Sequence, residues 1–437
     1  MRWLVTCLLA LLAMPLAAQD DVAEQFARDA AQHTRDLADL YAMRGLPGPP
    51  KMSDATIEDV VVYLNRSNQR RSQGVRYPEG TAALFYAYHD GELAAYLIGM
   101  EGLIAHDRRK LDEFDLEDAV IAYRFSLDVD GIERSRAPVF RGEAPGQARR
   151  PKKKVKPAKA EKALADMLLP PDIREGLKQV RHLVVIANGA IATNPFAALP
   201  IGEDEQLIDR MSVSVSPGLF DLDQMLAGGR RGRRGGALIV GDPVVPETPD
   251  WSVPRLPGAQ AEAEALATHW DAQGRRHTLL LGEAATKEAV ASRMESAELL
   301  YFAAHGISNP REPLTGGFLM LSGDSPETAF LTAKEVQSMR LSAELAVLSA
   351  CQSGLGFNHD GGVIGLARSF QKAGVPRVVM SLWSVSDEAT VLLMDRFRHH
   401  LDGNVAAEAL RLAMLDARET YPEPALWAPF TLFGTPR

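Results

Sequence analysis

From Arg181 to Trp383 the chain repeats one alternation, a short apolar run followed by a stretch of helical spacing and then another apolar run. The apolar runs are "HLVVIANG", "ALIVGDP", "HTLLLGE", "ELLYFAAHG", the run that ends at Cys351 in "LAVLSAC", and "RVVMSLW". Between them, Ala259, Ala263, Leu266 and Trp270 line one face of a helix, and Lys287 to Glu295 and Val363 to Ala373 supply two more. An apolar run without polar alternation suits a strand buried on both faces, and strands joined through helices run parallel. This part of the chain is expected to be α/β, an open, mostly parallel sheet flanked by helices.

The first residues, MRWLVTCLLALLAMPLAA, set Arg2 before an apolar core, then Pro15 and small residues. That pattern reads as a secretory signal peptide over residues 1–18, cleaved before Gln19; the core is shorter than the ~20 residues a bilayer requires. The expected destination is periplasmic or secreted. Cleavage removes Cys7 and leaves Cys351 without a partner for an intramolecular disulfide, in a compartment that favours disulfides. A leftover thiol is either a small packed hydrophobe or a reactive group, and composition does not choose between them. The formal net charge of −9 argues against a wide basic surface, so no nucleic-acid partner is expected.

Ahead of the alternating region, Val22 to Ala42 has one apolar face that includes Val22, Phe26, Leu37, Leu40 and Tyr41, and "RGLPGPP" ends it. "ALFYAYHDGELAAYLIG" places two strand-like runs around Asp90-Gly91, the pair that supplies the positive φ values of a tight hairpin. Two basic runs interrupt the pattern. Residues 143–162 read as a solvated linker, and "GGRRGRRGG" at 228–236 as an exposed, flexible segment open to cutting.

Ligands of open parallel sheets bind outside the carboxyl ends of the strands. Two residues fall there with unusual chemistry: His305, closing "LLYFAAHG", and Cys351, closing "LAVLSAC". If their strands are neighbours, an imidazole and a thiol share a cleft, and the imidazole can take the thiol proton during attack. Gly306 has no Cβ, and its amide together with that of Cys351 can form an oxyanion hole. Each residue also has a plain reading, packing for the cysteine and a chain turn for the His-Gly pair. No close ligand pair supports a metal, and the chemistry requires neither metal nor organic cofactor.

Taken in order, "HLVVIANGAIATNPFAALP", "ALIVGDP", "LPGAQAEAEAL", "ATKEAV", "YFAAHG", "LTAKEV", "LAVLSACQSG", "GLARSFQKAGVPRVVMSLWSVSDEAT", "AAEALRLAM" and "WAPFTLFG" resemble the CHAT-domain proteins, caspase-like cysteine peptidases related to separase, caspases and gingipains. The resemblance implies a caspase-like sheet, a His-Cys dyad carried onto His305 and Cys351, and an oxyanion hole of the Gly306 and Cys351 amides. It further implies a degenerate, non-catalytic first half. The expected organisation is then a signal peptide over 1–18, a helical segment over 19–80, a degenerate half over 81–235 and a catalytic half over 236–437. Gln352 stands where the family commonly has an acid.

In separase-like relatives an aspartate after the Ser-Leu-Trp strand end helps form a pocket for a basic P1 residue, and Asp387 matches that place. Asp387 or Ser386 equally suits the cap of the following helix, and Trp383 is either a pocket wall or core. The expected function is an exported cysteine endopeptidase acting on a polypeptide, with a partner protein that regulates it. A non-cleaving binding or signalling module and a redox-sensing thiol protein are the rival readings. A basic P1 preference would make 228–236 a self-cleavage site.

Overall fold

The structure, a computed structural model, describes residues 16–43, 55–65, 78–127, 139–140, 157–187, 189–192, 194–216, 218, 235–247, 251–307, 314–349, 362–383 and 386–436. Cys351 lies outside the described residues, as do residues 1–15, the "RGLPGPP" stretch, 143–156 of the basic linker and 228–234 of the second basic run.

The chain enters through two helices, α1 (Leu16–Met43) and α2 (Ile57–Asn65), which lie on one face of three antiparallel strands, β1 (Thr81–His89), β2 (Glu92–Gly99) and β3 (Gly102–Lys110). Asp90 and Gly91 join β1 to β2 with φ of 53° and 73°, the left-handed pair expected of Asp-Gly in a two-residue turn. Along β1 the strand period of two divides the side chains. Ala83, Phe85 and Ala87 pack against Val22, Phe26 and Ala30 of α1 and Val60, Tyr63 and Leu64 of α2. Ala82, Leu84 and Tyr86 face the other way, toward α3 (Glu113–Ser126), α4 (Pro157–Leu168) and α5 (Pro171–Leu177).

Helix α4 corrects the basic-linker expectation over its last residues. Residues 157–162 are helical because Ala160, Leu164, Ala165 and Leu168 recur on one side and are buried, and that apolar seam outweighs the lysines around it.

The remaining strands are β4 (Val139–Phe140), β5 (His182–Ile186), β6 (Ser212–Ser216), β7 (Ala237–Gly241), β8 (Trp251–Ser252), β9 (His277–Leu281), β10 (Leu299–Ala303), β11 (Gly306–Ile307), β12 (Phe318–Met320), β13 (Phe330–Thr332), β14 (Leu345–Leu348), β15 (Arg377–Ser381) and β16 (Phe430–Gly434). Among them run α6 (Pro257–Ala272), α7 (Lys287–Met294), α8 (Ala333–Ser338), α9 (Gly362–Ala373), α10 (Asp387–His400) and α11 (Ala406–Thr420). Among the described residues, eleven strands make one sheet in the order β3-β2-β1-β5-β6-β16-β15-β14-β10-β7-β9. The pairs from β1 through β5 and β6 to β16 are parallel, and so are those from β15 through β14, β10 and β7 to β9. Only β16 against β15 and the β1-β2-β3 meander are antiparallel.

Strands from residues 81–216 therefore fill one side of the sheet and strands from 237–434 the other, joined edge to edge where β6 meets β16. Buried on both faces, β7, β10, β14 and most of β15 are the continuous apolar runs of the sequence. A smaller sheet, β11-β12-β13, branches off after β10 and carries its own cluster, in which Phe318 and Phe330 stack with ring centroids 4.4 Å apart. Among the described residues no helix is long and apolar enough to cross a membrane.

Candidate active site

Strand order sets which chain ends can cooperate. β15, β14, β10 and β7 are consecutive neighbours, so their carboxyl ends form one edge. Along it lie Asp242 after β7, His305 after β10, Ser349 after β14, and Leu382 and Trp383 after β15. The β10–β14 ladder pairs Leu299 with Leu345 and Phe302 with Leu348, at the ~4.8 Å spacing of adjacent strands. The thiol expected at this edge, that of Cys351, belongs to the residues outside the description.

His305 stands at the elbow where the chain leaves the large sheet for the small one. It is buried, with 4% of its surface exposed, and its Nε2 lies 2.7 Å from the Pro254 carbonyl oxygen. A carbonyl only accepts, so Nε2 carries the hydrogen of the neutral ring and the lone pair sits on Nδ1. Burial pushes the imidazole below the ordinary histidine range; the Pro254 hydrogen bond and the Asp242 and Asp387 carboxylates work against that displacement. Burial favours a neutral ring, and the Pro254 carbonyl places its hydrogen on Nε2 and its lone pair on Nδ1.

Gly306 follows in β11, paired with Leu319 of β12. The Met320 N–H donates to the His305 carbonyl at 2.8 Å, which makes Gly306–Leu319 a pair whose own amides point away from that ladder. The Gly306 N–H is thus directed away from β12, as an anion-stabilising donor must be.

Asp387 is the first residue of α10 and Ser386 its N-cap residue, whose side chain makes no cap hydrogen bond. The Asp387 side chain is half-buried and packs beside Gly258 at the start of α6, where an added Cβ would lie 3.0 Å from the Asp387 Cβ. Trp383 departs from the pocket-wall expectation: it is fully buried, its indole N–H donates to the Ala425 carbonyl at 2.9 Å, and the Arg124 guanidinium lies 5.5 Å from its ring centre. An aromatic wall needs open ring surface, and this ring has none.

Several residues that shape this edge passed unmarked in the sequence. Asp242 lies within "ALIVGDP" and Glu262 within "LPGAQAEAEAL", but neither motif distinguishes a working carboxyl from helix or turn decoration. Glu262 on α6 is buried and accepts a hydrogen bond from the Tyr301 hydroxyl of β10 at 2.6 Å. Burial pushes its carboxyl up to about 8; the Tyr301 hydrogen bond opposes this and the Asp387 charge adds to it. Pro254 contributes only a backbone carbonyl, which no side-chain motif encodes. Among the described residues no group of three His, Cys, Asp or Glu side chains is arranged to hold a metal.

An open, mostly parallel sheet flanked by helices, with a buried histidine at its carboxyl edge, makes this an α/β protein. The CHAT domain family model matches residues 158–435, well over half of the chain, and the protein belongs to the CHAT domain family, whose caspase-like fold is related to that of cysteine peptidases. Among curated proteins it is similar to tetratricopeptide repeat protein 28 of Mus musculus, 27% identical over 326 residues, and of Homo sapiens, 25% identical over 326 residues. Those alignments cover 63% of this chain and 13% of either relative, so the chain spans about an eighth of their length. Among solved structures, the Arg-specific cysteine proteinase gingipain R aligns with a TM-score of 0.43 at 12% identity, over 63% of this chain and 69% of that one. The Saccharomyces cerevisiae separase–securin complex aligns with a TM-score of 0.47 at 11% identity, over 88% of this chain and 32% of that one.

Proposed function

We propose that this protein is an exported cysteine endopeptidase in which His305 and Cys351 form the catalytic dyad. The observation that supports this best is the parallel pairing of β10 with β14. Each residue of that ladder meets the one 46 positions further on, as Leu299 meets Leu345, and 46 positions also separate His305 from Cys351. Nδ1 of His305 takes the thiol proton as the sulfur attacks the scissile carbonyl, and gives it to the departing amine. Water then attacks the acyl-enzyme, losing a proton to the same nitrogen, and the thiol is regenerated as the acid product leaves. The Gly306 and Cys351 amides receive the oxyanion in both steps. Asp387, half-buried at the start of α10 beside Gly258, is the carboxylate assigned to recognise a basic P1 side chain. Residues 1–18 direct the protein to the periplasm or beyond, and N-terminal sequencing of the mature chain should begin at Gln19.

Hydrolysis of a peptide library by the wild type, Cys351→Ala and His305→Ala tests the reading. Cleavage abolished in both variants supports it. Cleavage surviving in Cys351→Ala overturns it, and no cleavage by any of the three leaves a non-cleaving binding module as the better description.

A further inference from the structure

The Pro254 carbonyl that fixes the His305 ring belongs to a loop, and a loop carbonyl orients an imidazole only if the loop itself is held. The described contacts of that loop converge on Asp242. Its carboxylate accepts from the Leu256 N–H at 2.7 Å and from the Arg255 Nε and Nη2 at 3.0 and 2.5 Å. Its own N–H donates to the Ala303 carbonyl at 2.9 Å, two residues before His305. Asp242 is 3% exposed and adopts φ of 42°, a left-handed backbone uncommon for a residue with a side chain. That backbone turns the chain at the end of β7 and aims the carboxylate at residues 255 and 256. One residue thus ties the strand that delivers the imidazole to the loop that receives its Nε2 hydrogen.

We propose that Asp242 is a positioning residue for His305, holding residues 254–256 so that the Pro254 carbonyl keeps the hydrogen on Nε2 and leaves Nδ1 as the working nitrogen. This rests on the peptidase reading for its catalytic consequence, but the ring orientation is measurable without it. Asp242→Gly is the informative substitution, because glycine accepts the left-handed backbone and removes only the carboxylate. Asp242→Asn retains an acceptor for the Leu256 amide and serves as the conservative rescue.

The full-length protein labelled with nitrogen-15 histidine, His305 assigned by the signal lost in His305→Gln, reports the tautomer directly. Wild type and Asp242→Asn are expected to hold the hydrogen on Nε2, while Asp242→Gly populates both tautomers. With a cleaved peptide in hand, Asp242→Gly should lose kcat on the order of 100-fold with KM changed less than about threefold, and Asp242→Asn should recover most of it. A single Nε2–H tautomer in Asp242→Gly overturns the proposal, as does an unchanged kcat in that variant. If the wild type cleaves nothing, the peptidase reading falls and the tautomer comparison still decides the role of Asp242.

Discussion

Replacing Glu262 by glutamine should make the protein more stable, and increasingly so as the solution becomes more alkaline. The carboxyl is buried between α6 and β10, and its pKa of about 8 stands far above the ordinary value of about 4.3. A folded state that keeps this proton longer than the unfolded chain has full stability below about pH 4.3. It loses stability as the pH rises from there to about 8, after which both states are ionised. Each pH unit of that window corresponds to about 1.4 kcal/mol, so the loss across it is about 5 kcal/mol, and by pH 7 about 4 kcal/mol has gone. Glutamine has nearly the same volume, still accepts from the Tyr301 hydroxyl and carries no proton to lose. The assay is urea unfolding of wild type and Glu262→Gln at pH 5, 6, 7, 8 and 9. The variant's advantage should widen by about 1.4 kcal/mol per pH unit up to pH 8 and then level off. Parallel stability curves, separated by a constant at every pH, would refute the assignment of a buried, neutral carboxyl to this position.

Three further outcomes are expected. Asp387→Asn should lower kcat/KM for peptides with Arg or Lys at P1 by tenfold or more, equivalent to about 1.4 kcal/mol, and leave peptides with an uncharged P1 unchanged, as read from paired substrates. Asp29→Ala should cost about 3 kcal/mol in chemical denaturation, because that buried carboxylate, 1% exposed, accepts from the Tyr96 hydroxyl at 2.6 Å, lies 2.7 Å from His89 Nε2 and pairs with Arg108, all of which lose their partner at once. Gly434→Ala should lower the melting temperature by several degrees: φ is 115° there, and a Cβ would fall 2.1 Å from the Pro376 carbonyl oxygen, overlap that a variant melting like wild type would contradict.

The fold was readable where burial on both faces leaves mostly apolar residues in a strand, which is why β5, β7, β10, β14 and β15 appear in the sequence as apolar runs. β6 escaped because "SVSVS" alternates, although all but one of its residues are buried. β3 escaped because "GLIAHDRRK" is half-exposed and ends in charge, Arg108 and Arg109 being held by carboxylates on neighbouring elements or on the strand itself. Helix α4 hid inside a lysine-rich stretch, since charge density reads as loop until the spacing of Ala160, Leu164 and Leu168 is laid on a helix. At the candidate site, His305 and Gly306 stood out because a strand end followed by His-Gly is chemically unusual. Asp242 and Pro254 were not, because their role is a relay through backbone groups, and one of them contributes only an amide oxygen that any residue possesses.

The seam between the two sides of the large sheet is made by one strand, β16, which is parallel to β6 on one flank and antiparallel to β15 on the other. A chain growing from its amino terminus has every other strand of that sheet available first and must wait for residues 430–434 before the two can be zipped together. Until then β6 and β15 present open edges to the surroundings, the kind of surface that captures stray chains. The ribosome therefore delivers two unfinished pieces, and their fastener comes last.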